Sequence, residues 1–458
     1  MNTIIILSCL GLVTMFTGVY HLRKLILPLV VAGLLAGLAA NYFSWNTDIS
    51  YYNNMLHFDN YAVAFTGLLI AVSIVVFFVS DQQYRADGSN VADIYALILF
   101  TLVGGIIMVS YSNLTMLFIG IEALSIPLYV LAGSKKLNLE SNEASLKYFL
   151  MGSFSTGFLL FGIALMYGTT GSFDLLVIKN YVVNNADALP LIFKAGLFLM
   201  MIGLLFKVSA VPFHFWAPDV YSGSPTLVTT FMATVVKTAG FAAIFRLFYI
   251  CFGAILHEWF YTIWAVTALT ITVGNLSAIR QTSVKRMLAY SSISNAGFLL
   301  MGVLALNENA ASAMLYYTAA YSLSTICAFA VVMLVEQVRG NSNYESFHGL
   351  ARSNPLFAGI MTLALLSLAG IPPLAGFFGK YFLFANSIDN GYIWIVIIAV
   401  LNSLLGIYYY FKVIVAMLAK EPAMEKIETR ASYVFILVAA ALAIVILGVF
   451  PNLLTGLL

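Results

Sequence analysis

Charged residues are scarce in this sequence. Lysine, arginine, aspartate and glutamate make up 9% of its 458 residues, whereas a soluble domain holds about a quarter. The formal net charge of +2 provides no basic surface of the kind that binds nucleic acid. Hydrophobic residues account for 62% of the chain, so we expect most of it to face lipid instead of water.

Patterns that bind metals and cofactors are missing as well. The three cysteines, Cys9, Cys251 and Cys327, lie in or beside apolar runs and form no C-x-x-C pair, which argues against a disulfide framework and an iron–sulfur or thiolate metal site. The histidines form no H-x-x-x-H pair, and no G-x-G-x-x-G follows a strand-like run. We therefore expect no flavin, metal, nucleotide or iron–sulfur cluster in this chain.

Long apolar runs dominate the sequence. They are too long and too unalternating for barrel strands, so they predict an all-α integral membrane protein of about fourteen transmembrane helices. We expect the first run to be a retained span and not a signal peptide, because its positive charges follow the apolar stretch. The predicted spans are roughly 3–20, 25–44, 60–80, 92–110, 113–133, 143–168, 190–211, 225–250, 258–279, 284–304, 310–337, 354–388, 392–418 and 431–452.

Basic residues fall mostly in alternate loops. By the positive-inside rule, this asymmetry predicts that both termini lie on the outer side. We expect the membrane to be a bacterial inner membrane. Only Lys179 and Arg246 fall in predicted outside loops. The predicted inside residues are Arg23, Lys24, Arg85, Lys135, Lys136, Arg280, Lys285, Arg286, Arg339, Arg352, Lys420, Lys426 and Arg430.

A few ionisable residues lie within the predicted spans. Lys194 and Lys412 are near span ends or aromatic residues, where a lysine can extend to the membrane surface. An ionisable residue at mid-membrane costs about 2.5–3.5 kcal/mol on insertion scales and is usually functional. The candidate site residues are Glu122, Lys147, Lys207, Lys237 and Lys380.

Prolines interrupt two spans close to these lysines. Pro212 follows Lys207 by five residues, and Pro372 and Pro373 precede Lys380. Paired broken helices in two halves of a chain indicate an inverted-repeat transporter. We predict two inverted five-helix repeats, at approximately 92–250 and 258–418, with helices 7 and 12 broken. The alternative is that each proline makes an ordinary kink and each lysine pairs with a neighbour.

Hydroxyl-bearing residues recur on the faces of several spans. Buried ionisable groups joined by such hydroxyls would form a proton relay, although threonines often bond only to their own backbone. Burial favours a neutral lysine and a nearby carboxylate favours a charged one, so movement of Glu122 relative to Lys207 could load or unload a proton. The hydroxyl and amide positions are Thr226, Thr230, Thr234 and Thr238, then Ser291, Ser294 and Asn295, then Thr318, Ser322 and Thr325.

The segment PFHFWAPDVYSGSPTLVTTFMATVVKTAGF, residues 212–241, resembles the antiporter-like membrane-arm subunits of respiratory complex I. The resemblance extends over nearly the whole chain. One subunit type of this family usually has a glutamate in the twelfth span, and another has a long lateral helix after the fourteenth. This sequence has Lys380 in the twelfth span and ends just after the fourteenth, so it favours the third type.

This resemblance implies a proton-translocating subunit. Glu122 would tune Lys207, Lys147 and Lys237 would pass protons laterally, and Lys380 would lie on the exit or coupling side. NADH oxidation, quinone reduction, flavin and iron–sulfur clusters would belong to partner subunits, and the neighbours of this chain would be other membrane-arm subunits and lipid.

Two residues depart from the family pattern. Ser222 stands where a glutamate is frequent and Leu227 where a second proline is frequent, which weakens any role for that loop. The alternatives are a subunit of a multi-subunit cation/proton antiporter, a membrane subunit of an energy-converting hydrogenase, and a structural scaffold. Only the scaffold predicts that the buried lysines are replaceable.

Overall fold

The fold is known from a computed structural model, which describes residues 1–20, 22–84, 91–419 and 426–458. Arg85 and Lys420, two of the residues that predict the orientation, lie outside the described residues. The elements of the first half are α1 (Asn2–Val19), α2 (Arg23–Tyr42), β1 (Ile49–Tyr51), β2 (Leu56–Phe58), α3 (Asn60–Tyr84), α4 (Val91–Ser110), α5 (Leu114–Ala132), α6 (Leu139–Thr170), α7 (Leu175–Asn184), α8 (Leu191–Lys207), α9 (Trp216–Gly223), α10 (Thr226–Phe231) and α11 (Lys237–Leu247).

The second half is entirely helical in its described elements. They are α12 (Leu256–Ile279), α13 (Val284–Ala305), α14 (Glu308–Arg339), α15 (Leu350–Ser353), α16 (Pro355–Ala369), α17 (Ala375–Asp389), α18 (Ile393–Leu418), α19 (Ala431–Val449) and α20 (Asn452–Thr455). The all-α membrane class is therefore confirmed, and the one small sheet is the hairpin β1–β2, in which Ile49 pairs with Phe58.

The helix list does not give the number of membrane crossings directly. Within the described ranges, eleven helical stretches are long and apolar enough to span a membrane. One of them, Thr226–Ile279, has 54 residues; at 1.5 Å per residue it would extend about 80 Å, more than twice the hydrocarbon thickness. A π-helical turn and a 3₁₀ turn separate α11 from α12 inside it. The total of about fourteen stays a prediction.

Two helices are interrupted where the sequence predicts breaks. The first ends as α8 at Lys207 and resumes as α9 at Trp216. The second ends as α16 at Ala369 and resumes as α17 at Ala375. Proline lacks the N–H that would continue each ladder, so both interruptions follow from Pro212 and from the pair Pro372–Pro373 in the sequence.

The two halves repeat several local features. α6 and α14 each have 32 residues, and each begins with an asparagine side chain that accepts a backbone N–H: Asn138 from Ser141 at 3.0 Å and Asn307 from Ala310 at 2.7 Å. Each helix ends at a glycine, Gly171 or Gly340, with φ of +71° and +75°. Such left-handed glycines are common helix ends.

The helices that precede them also match. An isolated antiparallel bridge joins Asn113 at the start of α5 to Asp174, and another joins Ser283 at the start of α13 to Asn343. The two bridges are offset by nearly the same distance along the chain. The spacing from Asn113 to Ser283 equals the spacing from Asp174 to Asn343 to within one residue. The start of the fifth predicted span is thus built like the start of the tenth.

The molecule has two polar ends. One, which we call the basic face, is where α6 and α13 begin, and a single cavity there is lined by Lys135, Lys285 and Arg286. The other, the hairpin face, carries β1–β2, and a groove there joins Asn60 to Gly456 near the C-terminus.

Arg246 lies at the hairpin face, but not in a loop as its sequence position suggests. It occupies the last turn of α11, with 3% of its surface exposed. Its guanidinium forms an ion pair with Asp59 at 2.9 Å and donates to the Tyr111 carbonyl at 2.8 Å. A loop-charge count records the sign of a residue and not its depth, which is why the sequence misplaced it.

Candidate functional site

Lys207 is buried at the first helix break. It is the last residue of α8, and 7% of its surface is exposed. Its Nζ donates to the Ser125 hydroxyl of α5 at 2.7 Å and lies 5.8 Å from the centre of the Tyr148 ring. The carbonyl end of a helix carries partial negative charge, so the break places this cation where the backbone favours it.

Side chains of α9 and α12 bond to the backbone at the break. The Trp216 indole N–H donates to the Phe206 carbonyl at 3.1 Å, and the Thr270 hydroxyl accepts from the Val211 N–H at 2.9 Å. His214, inside the break, is 6% exposed, and its Nδ1 has no hydrogen-bond partner among the described residues. The break is therefore an ordered, buried polar segment within the helix bundle.

Glu122 does not contact Lys207 directly. It lies in α5 and is half-buried, and within the described part of the chain it forms no ion pair shorter than the 4.0 Å limit for a salt bridge. Ser125, three residues further along α5, binds the Lys207 ammonium instead and also donates to the Ile121 carbonyl. The contact between α5 and Lys207 is therefore made by Ser125 and not by Glu122.

Lys237 lies deeper still, with 2% of its surface exposed. Its Nζ donates to both the carbonyl and the hydroxyl of Ser292 in α13, each at 2.6 Å. The Tyr321 hydroxyl donates to the Ser292 hydroxyl oxygen at 2.9 Å. Lys237 directly follows a π-helical turn, Met232–Val236. Such turns are frequent at functional sites.

Lys380 is bound to the second helix break. Its Nζ donates to the carbonyls of Leu368 and Ala369, at 3.0 and 3.1 Å, which are the last carbonyls of α16. The ammonium lies 4.8 Å from the centre of the Phe298 ring. Both contacts favour a cation. Lys380 therefore links α17 to the last carbonyls of α16 across the break.

Polar side chains of α13 connect the Lys237 and Lys380 regions. Asn295 accepts from the Tyr317 hydroxyl at 2.6 Å, one turn after Ser291, whose hydroxyl bonds with that of Tyr410. Phe298, which contacts Lys380, comes almost one turn later. We call Ser292 and Asn295 of α13, together with Tyr317 and Tyr321 of α14, the α13 column.

The column is closed in this conformation. A gap of about 170 Å³ lies beside it, lined by Asn295, Tyr317, Ser324, Ser367 and Gly376, but it has no room for a water-sized sphere. A water needs such room and several polar partners. Proton movement along the column therefore requires side chains or helices to shift.

Two of the four threonines from Thr226 to Thr238 behave as the alternative interpretation expects. Thr230 and Thr234 donate to the carbonyls four residues earlier, at 2.8 and 2.7 Å, and Thr318 does the same at 2.8 Å. Such back-bonding is common in membrane helices. In this conformation, these hydroxyls line helices without joining the lysines.

Lys147 is placed differently from the other candidates. It lies at the basic face with 39% of its side chain exposed, and it forms ion pairs with Glu143 at 2.6 Å and Asp219 at 2.7 Å. The other oxygen of Asp219 binds Arg286 at 2.9 Å. Lys147 thus belongs to a surface ion-pair cluster and not to the buried lysines.

Three residues that bind the predicted set, Ser125, Asp219 and Ser292, were not predicted, and neither was Tyr321, which binds Ser292. Ser125 had a usable signal, because it lies one turn from Glu122, and Ser292 lies within the polar run from Ser291 to Asn295. Tyr321 had none, since it is one of 26 tyrosines. In the part of the chain that the structure describes, no three His, Cys, Asp or Glu side chains are grouped so as to hold a metal ion.

Comparison with known sequences adds independent information. The family described as "NADH:quinone oxidoreductase/Mrp antiporter, TM" matches residues 111–406. The chain is 45% identical to NADH-quinone oxidoreductase subunit N of Cytophaga hutchinsonii, over 99% of this chain and 98% of that protein. It is 43% identical to subunit N of Flavobacterium psychrophilum, over 100% of both.

Solved structures agree in fold. A chain of respiratory complex I from Thermus thermophilus matches with a TM-score of 0.85 at 32% identity, over 99% of this chain and 98% of that one. A chain of an archaeal membrane-bound sulfane sulfur reductase matches at 0.88 and 25% identity, over 100% and 96%. A chain of the Mrp complex from Dietzia, at 0.86 and 19% identity over 100% and 96%, shares the fold.

Proposed function

Because this chain belongs to the NADH:quinone oxidoreductase/Mrp antiporter transmembrane family, we propose that it is the proton-translocating subunit N of a bacterial NADH–quinone oxidoreductase. Subunit N is the name carried by the relatives that match it over their whole length. The observation that carries the translocating role is the set of three buried lysines, Lys207, Lys237 and Lys380, each bonded to hydroxyls or helix-end carbonyls. A scaffold would gain little by burying them.

We assign the proton-carrying role to these lysines and the tuning role to Glu122. When Lys207 gives up its proton, the neutral amine accepts a hydrogen bond from Ser125, so the hydroxyl serves both states. The Glu122 carboxylate favours the charged state of Lys207. A shift of α5 against α8 changes their separation and so moves the proton.

Further transfer follows the α13 column. Ser292 binds Lys237 and Tyr321, and the column leads through Asn295 to Phe298, beside Lys380. Opening of the closed gap admits water between these groups, and Lys380 then passes the proton towards the exit. Lys147, in its ion-pair cluster with Asp219, contributes lateral transfer at the basic face.

The paired features of α5 with α13 and α6 with α14 support two five-helix repeats, at approximately 92–250 and 258–418. Equivalent helices differ by five in span number, so they run in opposite directions and the repeats are inverted. NADH oxidation, quinone reduction, flavin and iron–sulfur clusters belong to partner subunits. The neighbours of this chain are other membrane-arm subunits, in a bacterial inner membrane.

Purification tests the assignment to this complex. A tagged copy of the chain, isolated from its own host in mild detergent, should carry NADH–quinone reductase activity together with the cofactor-bearing subunits. The control is the same isolation from an untagged strain. Recovery of cation/proton antiporter subunits without NADH oxidation would assign the chain to the other branch of the family.

Thiol labelling tests the orientation. We expect the basic face to lie inside, because basic loops face the cytoplasm. Leu137→Cys lies at that face, and Gly456→Cys lies beside the groove of the hairpin face. An impermeant maleimide should label Gly456→Cys in intact spheroplasts and Leu137→Cys only in inverted vesicles. Labelling of both from one side would contradict the predicted topology.

A further inference from the structure

The basic face contains a polar cavity of about 580 Å³. It lies among the ends of α6, α9, α13 and α14. Its charged lining residues are Lys135, Glu140, Glu143, Asp219, Lys285, Arg286 and Glu336. A cavity lined largely by charged groups holds water, so it provides an aqueous space that reaches into the helix bundle.

One of its lining residues, Lys285, is more deeply placed than a loop position suggests. Lys285 was predicted in a loop, but it lies in the first turn of α13 with 6% of its surface exposed. Its ammonium donates to the Ser224 carbonyl at 2.7 Å and lies 3.8 Å from a Glu336 oxygen. The Thr226 hydroxyl donates to the other Glu336 oxygen.

This arrangement is a poor structural clamp. A distance of 3.8 Å leaves the ion pair without a short hydrogen bond, and a pair with one partner buried and the other partly buried is weak support for stability. The Ser224 hydroxyl beside it is buried with no hydrogen-bond partner among the described residues. Carboxylate, ammonium and hydroxyl together form an incompletely bonded polar group in the lining of the cavity.

The group also lies at the start of the helix that leads to Lys237. Thr226 is the first residue of α10, and Lys237 follows eleven residues later, about 16 Å along the helix. Thr230 and Thr234 lie between them on one side of that helix. Each donates to a backbone carbonyl, so the lone pairs of each hydroxyl oxygen can accept a hydrogen bond from water.

We propose that Glu336, held by Lys285, is the proton-uptake gate between this cavity and Lys237. The Glu336 carboxylate takes a proton from cavity water, and the neutral acid loses its attraction for the Lys285 ammonium. The acid then gives that proton, through Thr226 and water, to the neutral amine of Lys237, and the carboxylate re-forms its pair. The gate rests on the proposed function, because it supplies the same lysines.

Glu336→Gln tests this assignment. Glutamine keeps the shape and can still accept from Thr226, but it cannot carry the proton. We expect quinone-coupled proton pumping in inverted vesicles to fall by about tenfold or more, while NADH oxidation by an acceptor that bypasses quinone stays normal and reports assembly. Glu336→Asp should restore most of the rate, since a carboxylate is again present.

Glu140→Gln is the matched control, because it makes the same change in the same cavity at an exposed position; its pumping should equal that of the unmodified chain. Normal pumping by Glu336→Gln would overturn the gate. A large loss in both variants would also overturn it, since cavity charge alone would then be responsible. Lys207→Ala in the same assay separates the two proposals: if it is impaired while Glu336→Gln is normal, only the gate fails.

Discussion

Lys207→Ala should nearly abolish proton-coupled quinone reduction while the complex still assembles. The substitution removes the ammonium that binds Ser125 at the first helix break, and no other described side chain is placed to replace it there. Loss of a positioned proton carrier lowers a rate by about 10²–10⁴-fold. The measurements are the pH gradient and the NADH–quinone reductase rate in inverted vesicles, with assembly assayed by an acceptor that bypasses quinone.

Related variants should form a graded series. Lys207→Arg should also be strongly impaired, because arginine does not release its proton at a useful pH. Glu122→Ala should approach the loss of Lys207→Ala, and Glu122→Asp should be milder since the charge survives. Ser125→Ala should be intermediate, because the amine loses one partner but keeps its proton. Normal pumping by an assembled Lys207→Ala complex would make the lysine a packing feature.

The sequence was sufficient to predict the breaks and the buried lysines. Insertion of a charge into lipid and removal of a backbone N–H are local effects, so Lys207 and Pro212 can be interpreted wherever the helix packs. Lys237 and Lys380 are likewise buried as predicted. These properties depend on residue type and on distance from a span end, both of which a sequence contains.

Contacts between helices could not be predicted in the same way. Whether Lys207 binds Glu122 or Ser125 depends on how far α5 is rotated against α8, and that rotation is set by packing along both helices. The contact between Ser292 and Lys237 could not be predicted for the same reason. Arg246 and Lys285 show the limit of loop-charge counting, because each is basic, lies near a span end and is nevertheless buried.

Lys237→Ala should reduce pumping as severely as Lys207→Ala, and the double variant should be no worse than either single one. The proposed relay is a series, in which Lys237, bound to Ser292, which in turn accepts from Tyr321, is an obligatory step. Residues that act as a unit give strongly non-additive losses. Lys237→Gln, which keeps a donor for Ser292 but has no proton to transfer, should be equally inactive.

A parallel arrangement of the two lysines would give a different result in the same vesicles. If Lys207 and Lys237 served separate parallel paths, each single variant would retain a substantial share of the pumping and only the double variant would lose it all. Lys412→Ala provides the control, because this lysine lies over the Tyr344 ring at 4.2 Å, away from the α13 column. It should pump normally, and a loss as large as that of Lys237→Ala would show that the assay responds to any span lysine and not to the relay.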